Sequence, residues 1–66
     1  MIRCVVVDDE ALSREVIINF IRNTADLELL EEFSNAIDAG TYLRNNHIDL
    51  LFLDINMPEL SGVDFL

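Results

Sequence analysis

Acidic residues directly follow two short apolar segments in this 66-residue sequence. Asp8 and Asp9 follow the apolar residues 4–7, and Asp54 follows the apolar residues 50–53. Clustered carboxylates either raise one another's pKa or hold a cation, and an oxygen-only site with room for water suits Mg²⁺, with Mn²⁺ tolerated. A carboxylate can also act as a nucleophile that accepts a phosphoryl group. The acids therefore predict a metal site with a nucleophile beside it.

The pattern of apolar residues predicts the elements that would position these acids. Three short segments rich in apolar and β-branched residues predict strands at 2–7, 27–33 and 50–53. Apolar residues at helical spacing predict helices at 11–23 and 36–45. The order βαβαβ predicts an α/β fold, a doubly wound parallel sheet with right-handed crossovers and helices on both faces. A capping-box pattern from Ser61 to Asp64 predicts the start of a third helix.

The composition of each segment predicts its place in the fold. Strand 2–7 should be buried on both faces, strand 50–53 should be central, and the glutamates of strand 27–33 suit an edge strand. Ser34 and Asn35 are candidate caps of the second helix, which Gly40 weakens by about 1 kcal/mol relative to alanine. The predicted apolar face of the first helix consists of Leu12, Val16, Ile17, Phe20 and Ile21. That of the second helix consists of Ala36, Ala39 and Leu43.

A strand order of 2-1-3 brings the acids together. It places the first and third strands next to each other, about 4.8 Å apart, so that Asp8, Asp9 and Asp54 converge beyond their carboxyl ends. The backbone carbonyl of Asn56 could supply a further oxygen ligand. The alternative is that Asp8, Asp9 and Glu10 only cap the first helix or complement its dipole. That alternative does not explain Asp54, because Pro58 and a loop follow it.

Charge and composition exclude several other functions. Thirteen Asp and Glu against four Arg and no Lys give a net charge of -9, which argues against direct nucleic-acid contact by this segment. The apolar content of 52% argues against disorder, and no apolar run has the length of a membrane span. The single cysteine, Cys4, is expected to be buried and inert in a reducing cytoplasm. His47 is expected to be an exposed loop residue.

Two segments resemble the receiver domain of two-component response regulators: VVVDDE at residues 5–10 and LFLDINMPELSG at residues 51–62. The resemblance covers the whole chain and is greatest to receivers that carry a LytTR-type DNA-binding domain. It implies a flavodoxin-like fold, of which residues 1–66 would form a partial receiver domain with strands 1–3, helices 1 and 2 and the start of helix 3.

The resemblance also implies a role for each acid. Asp54 would be the phosphoacceptor, Asp9 a direct Mg²⁺ ligand, Asp8 a ligand largely through water, and Asn56 a ligand through its backbone carbonyl. A sensor histidine kinase would donate the phosphoryl group, and an output domain absent from this chain would respond in the cytoplasm. A receiver is not an enzyme in the usual sense, although it assists its own phosphorylation and dephosphorylation.

The chain departs from the family pattern in what it lacks. Receivers use a Ser or Thr after strand 4 and a Lys after strand 5, and this chain has neither strand, so it should be incompetent on its own. Its third strand would expose an apolar edge, which predicts self-association of the fragment. Two other functions remain open: a hydrolase of the aspartate-nucleophile phosphatase type, which Asn56 disfavours because it cannot be a general acid, and a non-phosphorylated interaction module.

Overall fold

The computed structural model describes residues 1–53. Its elements are β1 (Ile2–Val7), α1 (Ala11–Arg22), β2 (Leu27–Phe33), α2 (Ala36–Asn45) and β3 (Leu50–Leu53). All these bounds match the prediction except that α1 ends at Arg22, because Asn23 leaves the helical conformation and caps the helix. The predicted third helix lies outside the described residues, as do Asp54 and Asn56. Within the described part, neither helix is long and apolar enough to cross a membrane.

The three strands form one parallel sheet in the order β2-β1-β3, which confirms the predicted α/β architecture. Val7 at the end of β1 lies opposite Phe33 of β2 and Leu53 of β3. The glutamates of β2 are exposed on an edge strand, as predicted. The prediction that β3 is central is wrong for the described sheet, because β1 is central and β3 pairs only with β1.

The core lies on both faces of β1, whose last four residues are fully buried. Val5 and Val7 face α2 and pack with Ala36 and Ala39. Cys4 and Val6 face α1 and pack with Ile18 and Ile21. The alternation of a strand thus sends successive side chains to opposite helices. Cys4 is buried as predicted, and burial raises the pKa of its thiol, which keeps the thiol protonated and unreactive.

The buried face of α1 differs from the predicted one. Ile18 and Ile21 are buried, and Ile17 packs against them. Three residues predicted to face the core are 72%, 69% and 58% exposed: Leu12, Val16 and Phe20. They follow one another at four-residue spacing and form a separate apolar stripe. Because α1 is apolar on more than one face, helical spacing alone does not select the face that meets the sheet.

The start of α2 is capped as predicted. The Asn35 side-chain oxygen accepts the backbone N–H of Asp38 at 2.8 Å, and the Asn35 amide donates to the Asp38 carboxylate at 2.9 Å. The predicted apolar face is also confirmed, since Ala36 and Ala39 are buried and Leu43 packs against them. Asn35 therefore fixes where α2 begins, and the packing of its apolar residues fixes the face that meets the sheet.

Gly40 lies in the interior of α2, and a Cβ atom added to it would meet no atom within 4 Å. We expect Gly40→Ala to raise the free energy of unfolding by about 0.5–1 kcal/mol, because alanine restricts the unfolded chain and favours the helix. Urea denaturation of the complete domain at fixed protein concentration measures this change. The neighbouring Ala39→Gly should destabilise, because it weakens the helix and also removes a buried methyl group. An unchanged or lowered stability of Gly40→Ala would contradict this expectation.

Asp49 aligns β3 with β1 before the strand begins. Its backbone N–H donates to the Arg3 carbonyl at 2.8 Å, and its carboxylate accepts the Arg3 N–H at 3.0 Å. The hydrogen bond from Arg3 lowers the pKa of Asp49, and the exposed His47 ring adds a contact at 3.2 Å. These bonds help set the register in which Leu53 reaches the level of Val7.

Candidate functional site

The carboxyl ends of β1 and β3 lie side by side, as the prediction of converging acids requires. Val7 and Leu53 are partners in the parallel register, and both strands end there. Asp8 and Asp9 follow Val7 directly, so the structure brings these two acids to the end of β3. Asp54 follows Leu53 in the sequence, but its placement and that of Asn56 lie outside the described residues, and their roles stay predictions.

A cleft of about 530 Å³ opens at this edge of the sheet. Asp8, Asp9 and Glu10 line one part of it. The apolar side chains of Ile17 on α1 and of Phe52 and Leu53 on β3 line another. Carboxylates beside a cleft with room for water are the environment that a partly hydrated Mg²⁺ ion prefers.

Asp8 is buried, with 4% of its surface exposed, and is held at three points. Its backbone N–H donates to the Phe33 carbonyl at 3.0 Å, and its own carbonyl accepts a hydrogen bond from the Arg14 guanidinium at 2.7 Å. One carboxylate oxygen accepts the Glu10 backbone N–H at 2.9 Å. The orientation of Asp8 beside the cleft is therefore fixed by β2, by α1 and by its own turn.

Asp9 has a different environment from that of Asp8. It is exposed, and its carboxylate makes no hydrogen bond within the described part of the chain. A buried, oriented acid therefore stands next to an accessible one. This arrangement suits one ligand that acts through water and one that binds a cation directly, as the resemblance implies for Asp8 and Asp9.

Helix capping does not account for these acids. Glu10 occupies the N-cap position of α1, but its side chain accepts no backbone N–H of the helix. It accepts the Ser13 hydroxyl instead, at 3.1 Å. The Asp8 carboxylate bonds to Glu10, which precedes the helix, so its hydrogen bond shapes the turn. The acids still interact favourably with the dipole of α1, but that interaction does not explain why they line a cleft.

Sequence reasoning missed the part that Arg14 plays at this site. The helical pattern of residues 11–23 assigns no role to Arg14, whereas its guanidinium contacts both the Asp8 carbonyl and the Glu32 carboxylate. A signal existed, because a long cation on the first turns of a helix can reach back to the preceding loop. Its partner Glu32 is 18 residues away on β2, and nothing in the local sequence identifies that pairing.

The described acids fit part of a magnesium site. Within residues 1–53, no group of three or more His, Cys, Asp or Glu side chains is placed to hold a metal ion. Asp8 and Asp9 supply two hard oxygen donors and no nitrogen or sulfur donor, which is the ligand chemistry of Mg²⁺ and Mn²⁺. The further donors predicted from the sequence are Asp54 and the Asn56 carbonyl.

The family profile and the similar proteins indicate the same family. The profile of the response regulator receiver domain matches residues 4–66. An uncharacterized response regulatory protein of Shewanella oneidensis is 39% identical over the full chain, as is the transcriptional regulatory protein BtsR of Escherichia coli. The transcriptional regulatory protein YpdB of Escherichia coli is 33% identical over 61 residues, which are 92% of this chain.

The similarity covers a minor part of each relative. This chain spans 28% of the length of the Shewanella protein and of BtsR, and the match spans 25% of YpdB. No solved structure matches the chain.

Proposed function

The chain belongs to the response regulator receiver domain family, and from this membership we propose that Asp54 accepts a phosphoryl group from a sensor histidine kinase in the presence of Mg²⁺. We propose further that residues 1–66 are the N-terminal half of a receiver domain in a parent protein whose output domain responds to that event. The observation that carries the proposal is the meeting of Asp8 and Asp9 with the end of β3 at one cleft.

In the proposed transfer, a carboxylate oxygen of Asp54 attacks the phosphorus of the kinase phosphohistidine. The new P–O bond forms as the P–N bond breaks, and the product is an acyl phosphate on Asp54 with the histidine as leaving group. Asp9 would hold Mg²⁺ directly, Asp8 would hold it largely through water, and Asp54 and the Asn56 carbonyl would complete the protein ligands. When bound, the metal ion neutralises charge on the transferred group.

The contribution of the described residues is to hold the acids before the donor arrives. The buried residues 4–7 of β1 and the two flanking helices fix the point at which the chain enters residues 8–10, the acidic turn. Asp8 is oriented by its three hydrogen bonds, and Asp9 is left accessible. A site positioned in advance loses less conformational entropy when it binds its ligand.

The proposed output is transcriptional. BtsR and YpdB are named transcriptional regulatory proteins, and we propose a LytTR-type output domain and a cytoplasmic location for the parent protein. DNA contact would belong to that output domain, because the net charge of -9 on this chain opposes approach to phosphate.

The test is phosphorylation of the complete receiver domain by a small phosphodonor with Mg²⁺. The proposal predicts one hydroxylamine-labile acyl phosphate per molecule and transfer from a purified histidine kinase. A phosphatase-type hydrolase would instead turn over phosphate monoesters many times, and an interaction module would give neither result. Either of those two outcomes would contradict the proposal.

We also propose that the 66-residue chain associates with itself as a two-fold dimer through the outer edge of β3. Within the described sheet this edge has no partner strand, and β3 carries no Lys or Pro to deter pairing. We expect a dimeric mass by light scattering at micromolar concentration, and a monomeric mass for Leu50→Lys. A monomeric wild-type chain with a cooperative thermal transition would contradict this proposal.

A further inference from the structure

Arg14 joins three parts of the fold at the acidic turn. From α1, one guanidinium nitrogen donates to the Asp8 carbonyl at 2.7 Å, and another pairs with the Glu32 carboxylate of β2 at 2.9 Å. The Arg14 side chain is 21% exposed and that of Glu32 is 40% exposed. A surface ion pair of this kind adds little stability by itself. Its main effect is to orient the Arg14 guanidinium.

The two bonds of Arg14 are geometrically linked. The guanidinium is a rigid plane, so fixing its Nε against Glu32 also fixes the direction of its Nη1 toward Asp8. The residue after Glu32 is Phe33, whose carbonyl accepts the Asp8 backbone N–H. The end of β2 therefore holds Asp8 from both sides: Phe33 bonds its N–H directly, and Glu32 orients the arginine that bonds its carbonyl.

The charge of Arg14 would by itself oppose a cation at the neighbouring carboxylates. Its ion pair with Glu32 offsets that charge, because the guanidinium and the carboxylate together are neutral. Removal of the Arg14 charge alone would favour a cation, so a loss of Mg²⁺ affinity in Arg14→Ala would report the geometric effect.

We propose that Arg14, oriented by Glu32, is a positioning residue that sets the acidic turn for cation binding. This inference rests on the proposed function of Asp8 and Asp9 as metal ligands. Holding the Asp8 carbonyl fixes the peptide between Asp8 and Asp9, and hence the directions from which both carboxylates leave the backbone. Residues that orient metal ligands typically change metal affinity 10- to 100-fold when they are replaced.

Calorimetric titration of the complete receiver domain with Mg²⁺ tests the inference. We expect Arg14→Ala to raise the Kd for Mg²⁺ about 10-fold, and Glu32→Gln to raise it by a smaller factor. Arg14→Lys should recover only part of the affinity, because one ammonium group cannot make both bonds in the same geometry. Arg22→Ala is the matched control: Arg22 is an exposed arginine of α1 that makes no bond to the acidic turn within residues 1–53, and Mg²⁺ affinity should be unchanged.

Two further readouts separate positioning from general stability. The Mg²⁺ concentration that gives half-maximal phosphorylation should rise in Arg14→Ala, while the rate at saturating Mg²⁺ stays near wild type. In the metal-free protein, the Glu10 amide, which donates to Asp8, should exchange its hydrogen faster in both variants. These readouts are compared at temperatures where each variant is folded, and Glu32→Gln provides the test if Arg14→Ala does not fold.

The outcomes distinguish this inference from the proposed function. If Arg14→Ala and Glu32→Gln bind Mg²⁺ as well as wild type while Asp9→Ala loses binding, the positioning role is wrong and the metal site stands. If Asp9→Ala also keeps wild-type affinity, the acidic turn does not bind the metal and both are wrong.

Discussion

Replacing Asp54 with Asn should abolish acyl-phosphate formation in the complete receiver domain. The amide has no anionic oxygen to attack phosphorus, and loss of a nucleophile lowers rates by factors on the order of 10³ or more. Labelling with a small phosphodonor and Mg²⁺, followed by hydroxylamine treatment, measures the effect. Asp54 comes directly after β3, whose register beside β1 is set by the backbone ladder and by Asp49.

A matched control is available before the same strand. Asp49 precedes β3 at the opposite end from Asp54, and Asp49→Asn keeps a side-chain oxygen that can accept the Arg3 N–H. We expect this variant to be labelled like the wild type. Wild-type labelling of Asp54→Asn would show that another residue is the nucleophile.

Asp9→Ala should reduce Mg²⁺ binding below detection, which corresponds to a loss of roughly 100-fold or more in affinity. Asp9 is exposed and lines the cleft, so its removal takes away a ligand without opening the core. Calorimetric titration of the complete domain gives the affinity, and urea denaturation should show little change in stability.

The control for Asp9→Ala is Asp26→Ala. Asp26 is an exposed acid whose backbone carbonyl accepts the Ile2 N–H, which places it at the opposite end of the sheet from the cleft. The substitution makes the same change in net charge, and Mg²⁺ affinity should stay at the wild-type level. Equal binding by Asp9→Ala and wild type would remove the acidic turn from the site.

The strands were predictable because the residues within each segment are sufficient to indicate a strand. Residues 4–7 form an unbroken apolar run, and a strand with both faces covered is the structure that buries all four. The glutamates of β2 indicated an edge strand, because charged side chains on an edge deter unwanted strand pairing. In α1 the sequence was ambiguous, since apolar residues occupy two faces and only the face with Ile18 and Ile21 meets the sheet.

The site was predictable only in part. Adjacent strand ends follow from the strand order, so the convergence of Asp8 and Asp9 on the end of β3 could be deduced from the sequence. The bond from Asp8 to Phe33 could not be deduced, and neither could the orientation of Arg14 by Glu32, because both partners belong to β2 and come near only on folding. The roles of Asp54 and Asn56 come from the sequence motif and stay predictions.

The most direct test that Asp54 is the phosphoacceptor is to locate the phosphorylated residue chemically. Borohydride reduces an acyl phosphate of aspartate to homoserine, and trypsin cuts after Arg44, the last arginine of this lysine-free chain, giving a peptide that begins at Asn45. Fragment masses of that peptide should place homoserine at position 54 and leave Asp49 and Asp64 unmodified. Reduction at any other carboxylate, or a phosphorylated protein with no reducible aspartate, would contradict the account.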